Sequence, residues 1–188
     1  MKNFRIKVDG CKDSMFDYPC VDANSNYLLG KKISIITSNE IVDPSWFEGV
    51  GAMVLINPEN KDTSFTNVGI VMPCSVISDN EEGYYQVMDY YIQTLQLFVH
   101  KQKTLPGFKH LIVVLPAKSD EYSTSLIRMA YYAVYGLVKG LGKMYGPYGL
   151  FVNGIILNEN NPQKNLQDRL LLMASDNSCN IIGQVFKL

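Results

Sequence analysis

The sequence has no Cys-x-x-Cys pair, one tryptophan, two histidines and no apolar run long enough to cross a bilayer. Each of these gaps excludes a class of function. Cys11, Cys20, Cys74 and Cys179 are scattered, and neither His100 nor His110 stands near one at zinc-site spacing. No metal centre is therefore expected, and the thiols read as reduced structural residues. The longest apolar stretches, such as 149–157, fall well short of the roughly 20 residues a membrane helix needs. Lysine plus arginine (17) and aspartate plus glutamate (18) nearly cancel, for a net charge of −1. Nothing there recruits nucleic acid or an anionic membrane. The opening MKNFRIKVDG lacks an apolar signal core, which fits a cytoplasmic protein. Internal repeats and low-complexity tracts are absent too.

What remains is the composition of one folded domain: 188 residues, 47% hydrophobic and 19% charged. Residues 1–28 are polar and irregular, with one short strand at 4–8. They read as an N-terminal extension serving as an interface arm, and 29–188 as a single domain. From Gly30 onwards the texture changes. Compact β-branched runs recur at 31–37, 51–57, 67–73, 110–116, 150–157 and 181–188. Mostly apolar and not alternating, they suit strands covered on both faces, as in a parallel sheet. Between them, 84–101 carries apolar residues at helical spacing, with Asp79 or Asn80 placed to cap it. A second helix, 124–145, is apolar almost all round and contains Gly136, Gly140 and Gly142. These glycines would let another backbone come close. Strands alternating with helices predict a three-layer α/β sandwich with a mostly parallel sheet.

The C-terminal half resembles the short-chain dehydrogenase/reductase (SDR) superfamily. Gly136-Leu137, then Gly146-Pro147-Tyr148-Gly149, then Val152-Asn153 are similar to its long helix, its turn and its V-N strand. Ala174-Ser175-Asp176 and Gly183-Gln184-Val185 are similar to its closing segment, and GKKISIITS from Gly30 to its opening strand. The resemblance implies a Rossmann-like fold, shortened relative to the family, and it supplies four catalytic requirements to check.

A glycine-rich turn should follow the opening strand, so that a cofactor pyrophosphate can reach a helix N-terminus. After Thr37 comes SNEIVDPSWFEGVGA instead, with Glu40, Pro44 and Trp46 and no glycine before Gly49. An asparagine should hold a water in the family's proton relay, but Tyr91 stands there. A serine should follow the strand at 110–116; Pro116 and Ala117 take its place, with Ser119, Ser123 and Ser125 shifted along. A tyrosine and a lysine one helical turn apart should carry the proton transfer, the lysine lowering the tyrosine's pKa. Counted from the Gly136-Leu137 and Val152-Asn153 anchors, Ile127 and Tyr131 occupy those positions. A literal Tyr-x-x-x-Lys exists at Tyr135 and Lys139, but it lies 139 − 131 = 8 residues later. That is about 12 Å along a helix and about 80° around it. No catalytic, cofactor-binding or metal-binding residue is therefore assigned, and no cofactor is expected.

The same resemblance implies assembly through the two long helices and the closing strand. Tyr84, Tyr91 and Leu95 on the first helix are candidate interface residues. Tyr132, Gly136 and Gly140 on the second join them, with Val185 and Phe186 on the closing strand. The expected function is a non-catalytic SDR-like subunit bound to an active SDR paralogue, or a homodimer, in a dehydrogenase or reductase for a hydroxyacyl or keto substrate. One alternative is a divergent NAD(P)-dependent enzyme using Tyr135 and Lys139. Another is a stand-alone ligand-binding or regulatory protein. The 12 tyrosines read as packing residues, because a base-stacking platform would need a basic groove. The polar loops at 57–62 and 158–165 lack calcium-loop spacing. His100 reads as a surface or capping residue, and Trp46 as filler of vacated cofactor space or a partner contact.

Overall fold

Runs of β-branched residues with no polar face bury both sides, and each becomes a strand flanked by helices. A computed structural model describes residues 28–37, 41–57, 67–72, 80–102, 109–115, 125–157, 163–178 and 180–188, plus strands at 4–6 and 16–18. At 4–6, 16–18, 97, 101, 102, 125–128, 130, 131, 163 and 164 only the backbone is described. The hairpin β1 (Phe4–Ile6) and β2 (Phe16–Tyr18) forms a small antiparallel sheet of its own. Then come β3 (Lys32–Ile36), β4 (Met53–Ile56), β5 (Val68–Val71), β6 (Lys109–Leu115), β7 (Leu150–Ile156) and β8 (Val185–Lys187). These six form one all-parallel sheet in the order β4-β3-β5-β6-β7-β8.

Helices α2 (Glu81–Gln102) and α3 (Ser125–Tyr145) cover one face, and α1 (Ser45–Glu48) and α4 (Gln163–Ala174) the other. The core splits accordingly. Ile33, Ile35, Ile70, Ile112 and Ile155 pack with Phe47, Leu166 and Leu170, while Val71, Leu111, Val113 and Val152 pack with Phe98, Val134 and Val138. Every position of β6 and β7 is buried, and each such aliphatic side chain contributes roughly 1.5–3 kcal/mol. Gly69 is obligatory, because a Cβ there would fall on the Phe98 ring.

Helix α2 begins where expected. Asn80 Oδ1 accepts from Gly83 N at 2.8 Å, as a cap does; Asp79 lies outside the described residues. Two readings need correction. The stretch after 158, taken as loop to Asn165, enters α4 at Gln163; Leu166 and Leu170 anchor it, but its first turn is entirely polar. The closing strand is only Val185–Lys187, because Gly183 adopts a positive φ of 66° and turns the chain. Helix α3, apolar almost all round, buries one face only in this chain: Val134, Val138 and Gly142 are buried, whereas Met129, Tyr132, Gly136, Gly140 and Met144 lie on its outer face.

Candidate functional site

In a doubly wound sheet the binding crevice opens at the carboxyl ends of the strands, where the order reverses. Here the reversal falls between β3 and β5, since β4 lies on one side of β3 and β5 on the other. The groups available at that crevice can be followed strand by strand.

Beyond β3, the side chain of Asn57 clamps the next backbone unit. Thr37 N donates to Asn57 Oδ1 at 2.8 Å, and Asn57 Nδ2 donates to Thr37 O at 2.6 Å. Asn57 does so from a left-handed φ of 42°, which asparagine tolerates better than most residues. The Tyr90 hydroxyl, from α2, donates to Ile36 O at 3.1 Å. Among its described residues, the crossover from β3 to β4 contains a helix of only four residues, entered through Pro44. Its first turn is already served from within: Ser45 N donates to Asp43 Oδ1 at 2.8 Å. Hydrogen bonds from Ser45 hold the Asp43 carboxyl below its ordinary pKa, so an anion sits permanently at this turn. At the same end of the sheet, the start of α2 lines an open groove of about 610 Å³ with Asn80, Glu81, Glu82, Tyr85 and Asp89.

At the end of β6, Tyr91 takes the place expected for a relay asparagine. Its side chain is buried and its hydroxyl donates to Val114 O at 3.0 Å. Burial, reinforced by Tyr90, pushes the phenol well above its ordinary pKa. It stays a neutral donor bound to the backbone. On α3, Lys139 Nζ lies over the Tyr135 ring, 4.6 Å from its centroid. The ammonium meets the ring face, which is a packing contact of the cation–π kind.

The chain superposes on solved structures, although no family model and no curated protein matches its sequence. A candidate NAD(P)-dependent gluconate 5-dehydrogenase from Beutenbergia cavernae, with bound NADP, aligns with a TM-score of 0.71 at 13% identity, over 88% of this chain and 97% of that one. The Bacillus cereus enoyl-acyl carrier protein reductase, in complex with NADP+, gives 0.64 at 10% identity over 86% and 95%. A short-chain dehydrogenase/reductase from Serratia marcescens gives 0.66 at 12% over 86% and 96%. The fold is that of the short-chain dehydrogenases/reductases. At these identities the likeness speaks for the fold alone.

The SDR fold implies a dinucleotide, and the described residues do not fit one. A pyrophosphate needs free N–H groups at a helix N-terminus and no carboxylate among them; here Asp43 and a one-turn helix follow the described end of β3. Thr37 and Ile36 have their backbone groups engaged by Asn57 and Tyr90. Glu40, Pro116, Ala117, Ser119 and Ser123 lie outside the described residues, as do the four cysteines, the polar stretches 58–62 and 158–162, and the side chains of Ser125, Ile127 and Tyr131.

The candidate interface residues separate into two groups. Tyr91, Leu95, Val185 and Phe186 are 1, 2, 1 and 3% exposed. The chain's own core consumes them, because α2 lies directly on the sheet and β8 pairs with β7, so they are not surface residues. Tyr132 is 62% exposed, Tyr84 is half-buried, and a Cβ on Gly136 or Gly140 would meet nothing within 4 Å beyond the helix's own backbone. Gly142 faces inward: a Cβ there would lie 2.5 Å from Gly183 Cα.

Several of the motif residues that carried the resemblance have structural work. Asn153 Nδ2 donates to Ile181 O at 2.7 Å and Asn153 Oδ1 accepts from Gln184 N at 3.0 Å, fastening the closing segment to β7. Asp176 pairs with Lys31 at 2.6 Å, tying the start of β3 to the turn after α4. Beside them, buried His110 lies 3.4 Å from Ser178 Oγ through Nδ1 and 3.9 Å from Asp176 through Nε2. Sequence reading missed this cluster, and also Asn57 and Asp43. All of them join residues far apart in sequence or lie in loops whose only signal is polarity. Among the described residues no cluster could hold a metal ion, and no helix is long and apolar enough to cross a membrane.

Proposed function

We propose that this chain is a non-catalytic SDR-like subunit that assembles with a catalytically complete SDR paralogue. Their complex acts as a dehydrogenase or reductase on a hydroxyacyl or keto substrate. The observation that carries the reading is the Asp43 carboxylate on the Ser45 N–H, at the turn where a cofactor phosphate would have to sit. The bound Tyr91 hydroxyl and the ring-face contact of Lys139 add to it. A chain relieved of cofactor and proton transfer still offers α3. Met129, Tyr132, Gly136, Gly140 and Met144 recur every three or four residues along its outer face, and Met129, Tyr132 and Met144 are 56, 62 and 61% exposed. A stripe of this kind is a packing surface for a partner helix. The partner supplies the cofactor and the relay; this chain supplies stability or a wall of the neighbouring pocket.

Calorimetric titration of the folded chain with NADH and NADPH tests the reading. The expected outcome is no dissociation constant below roughly 100 μM, which corresponds to about −5.5 kcal/mol. Tighter binding of either nucleotide would support an enzyme using Tyr135 and Lys139 instead.

A further inference from the structure

Among the described residues strand β4 ends the sheet, and none of them gives it the usual protection of an edge. Natural edges carry lysine, proline or a bulge that discourages further pairing. Here Met53-Val54-Leu55-Ile56 is apolar throughout, with Met53, Leu55 and Ile56 exposed by 58, 40 and 54%. Met53 N donates to Lys31 O at 2.9 Å and Asn57 N to Ile35 O at 2.8 Å. The odd-numbered residues therefore bond to β3, and alternation turns the N–H and C=O groups of Val54 and Ile56 outward. Met53 and Leu55 pair with Lys32 and Ser34, placing them on the α2 side of the sheet. No described helix extends over β4 on that side. An apolar edge with open backbone groups is the geometry that accepts an added strand.

The chain carries a strand pair that needs such a place. The register of the β1–β2 hairpin sets Phe4 against Tyr18 and Ile6 against Phe16, with Arg5 against Asp17 between them. Four apolar or aromatic positions thus share one face of the ladder and two opposite charges the other. A two-stranded ribbon alone is marginal in water, and this one pairs with no strand of the main sheet. Its tether also leads to β4. Leu28 N donates to Val50 O at 3.3 Å, and Leu29, 72% exposed, lies against Gly51. Residues 19–27 reach at most about 30 Å at roughly 3.3 Å per residue, against about 13 Å for the whole length of β4.

We propose that the β1–β2 hairpin docks on the free edge of β4 in the same chain, with β2 antiparallel to β4. That direction returns the end of β2 to Leu28, beside the start of β4. Phe16 lies opposite Leu55 and Tyr18 opposite Met53, which sets the hairpin's apolar face on the uncovered side. Asp17 falls opposite Val54, whose outward N–H and C=O join the new ladder. A single antiparallel edge on a parallel sheet is common. This edge is the one remote from β8, and its closure does not depend on the subunit reading.

Residue-resolved amide hydrogen exchange on the full chain reads the edge directly. Val54 should exchange at least about 100-fold more slowly than unfolded-chain amides, equally at low and at tenfold higher protein concentration. Phe16→Lys should return that amide to the unfolded rate while β5, β6 and β7 keep their protection. Fast exchange of Val54 in the wild type overturns the proposal. So does protection that appears only on concentration, since a second copy would then hold the edge. Protection indifferent to Phe16→Lys overturns it as well.

Discussion

His110 shows how much one buried side chain can govern. It is 1% exposed, and its Nε2 has no hydrogen-bond partner. Burial, with the nearby Lys31 charge, lowers its pKa to about 4 against the efforts of Asp176. The folded state therefore holds neutral histidine where the unfolded chain, with an ordinary pKa near 6.5, binds a proton. Stability is fully present above about pH 6.5 and falls as pH drops towards 4, by about 3 kcal/mol from this residue. Urea titrations at pH 7 and pH 4 should show that loss in the wild type relative to His110→Leu; an equal pH dependence in both would assign it elsewhere. At Tyr135 and Lys139 the spacing suggested chemistry, but the ammonium over the ring suggests packing. Tyr135→Phe and Lys139→Ala should leave the turnover of a reconstituted complex nearly intact. A loss of the order of 10²–10⁴, the usual effect of removing an acid–base group, would restore the enzyme reading. Neither Asn57 nor Asp43 could be singled out in the sequence, because an asparagine or aspartate in a loop is ordinary until its partner is known.

Among the elements, α2 and α3 were legible to within three residues at each end, since periodicity and caps act locally. Helix α4 was not, because its polar first turn conceals the leucines that follow. What periodicity could not divide was the inner from the outer face of α3, where apolar residues occur on both. The structure divides it at the glycines. Gly142 meets the backbone of Gly183, which in turn donates to Val152 O at 2.8 Å, whereas Gly140 is open. Gly142→Ala should thus destabilise the isolated chain by about 1–3 kcal/mol through overpacking. Gly140→Leu should instead stabilise the helix, by up to about 1 kcal/mol, yet weaken the assembly. Thermal melting and light scattering on the two variants separate the effects. A Gly140→Leu chain that assembles as well as the wild type would remove α3 from the interface.

For the molecule as a whole, the residues that carry the resemblance and those at the crevice lie in different places. Asn153 and Ala174-Ser175-Asp176, legible as motifs, hold the sheet's closing segment and clip β3 to the far end of the chain. At the carboxyl end of the sheet, Asp43, Asn57 and Tyr91 are each engaged with the chain's own backbone. On the subunit proposal, the scaffold is kept while these groups are turned inward. The fold was readable because its determinants repeat along the chain; these contacts were not, because they depend on partners that only the fold brings together. Subunit composition is the most direct check on this account. Native mass spectrometry of the tagged full-length chain, isolated from its own cells, should show a hetero-oligomer containing a second, larger SDR chain with NAD(H) or NADP(H) bound. Recovery of this chain alone, as a soluble monomer that itself carries a nicotinamide nucleotide, would contradict it.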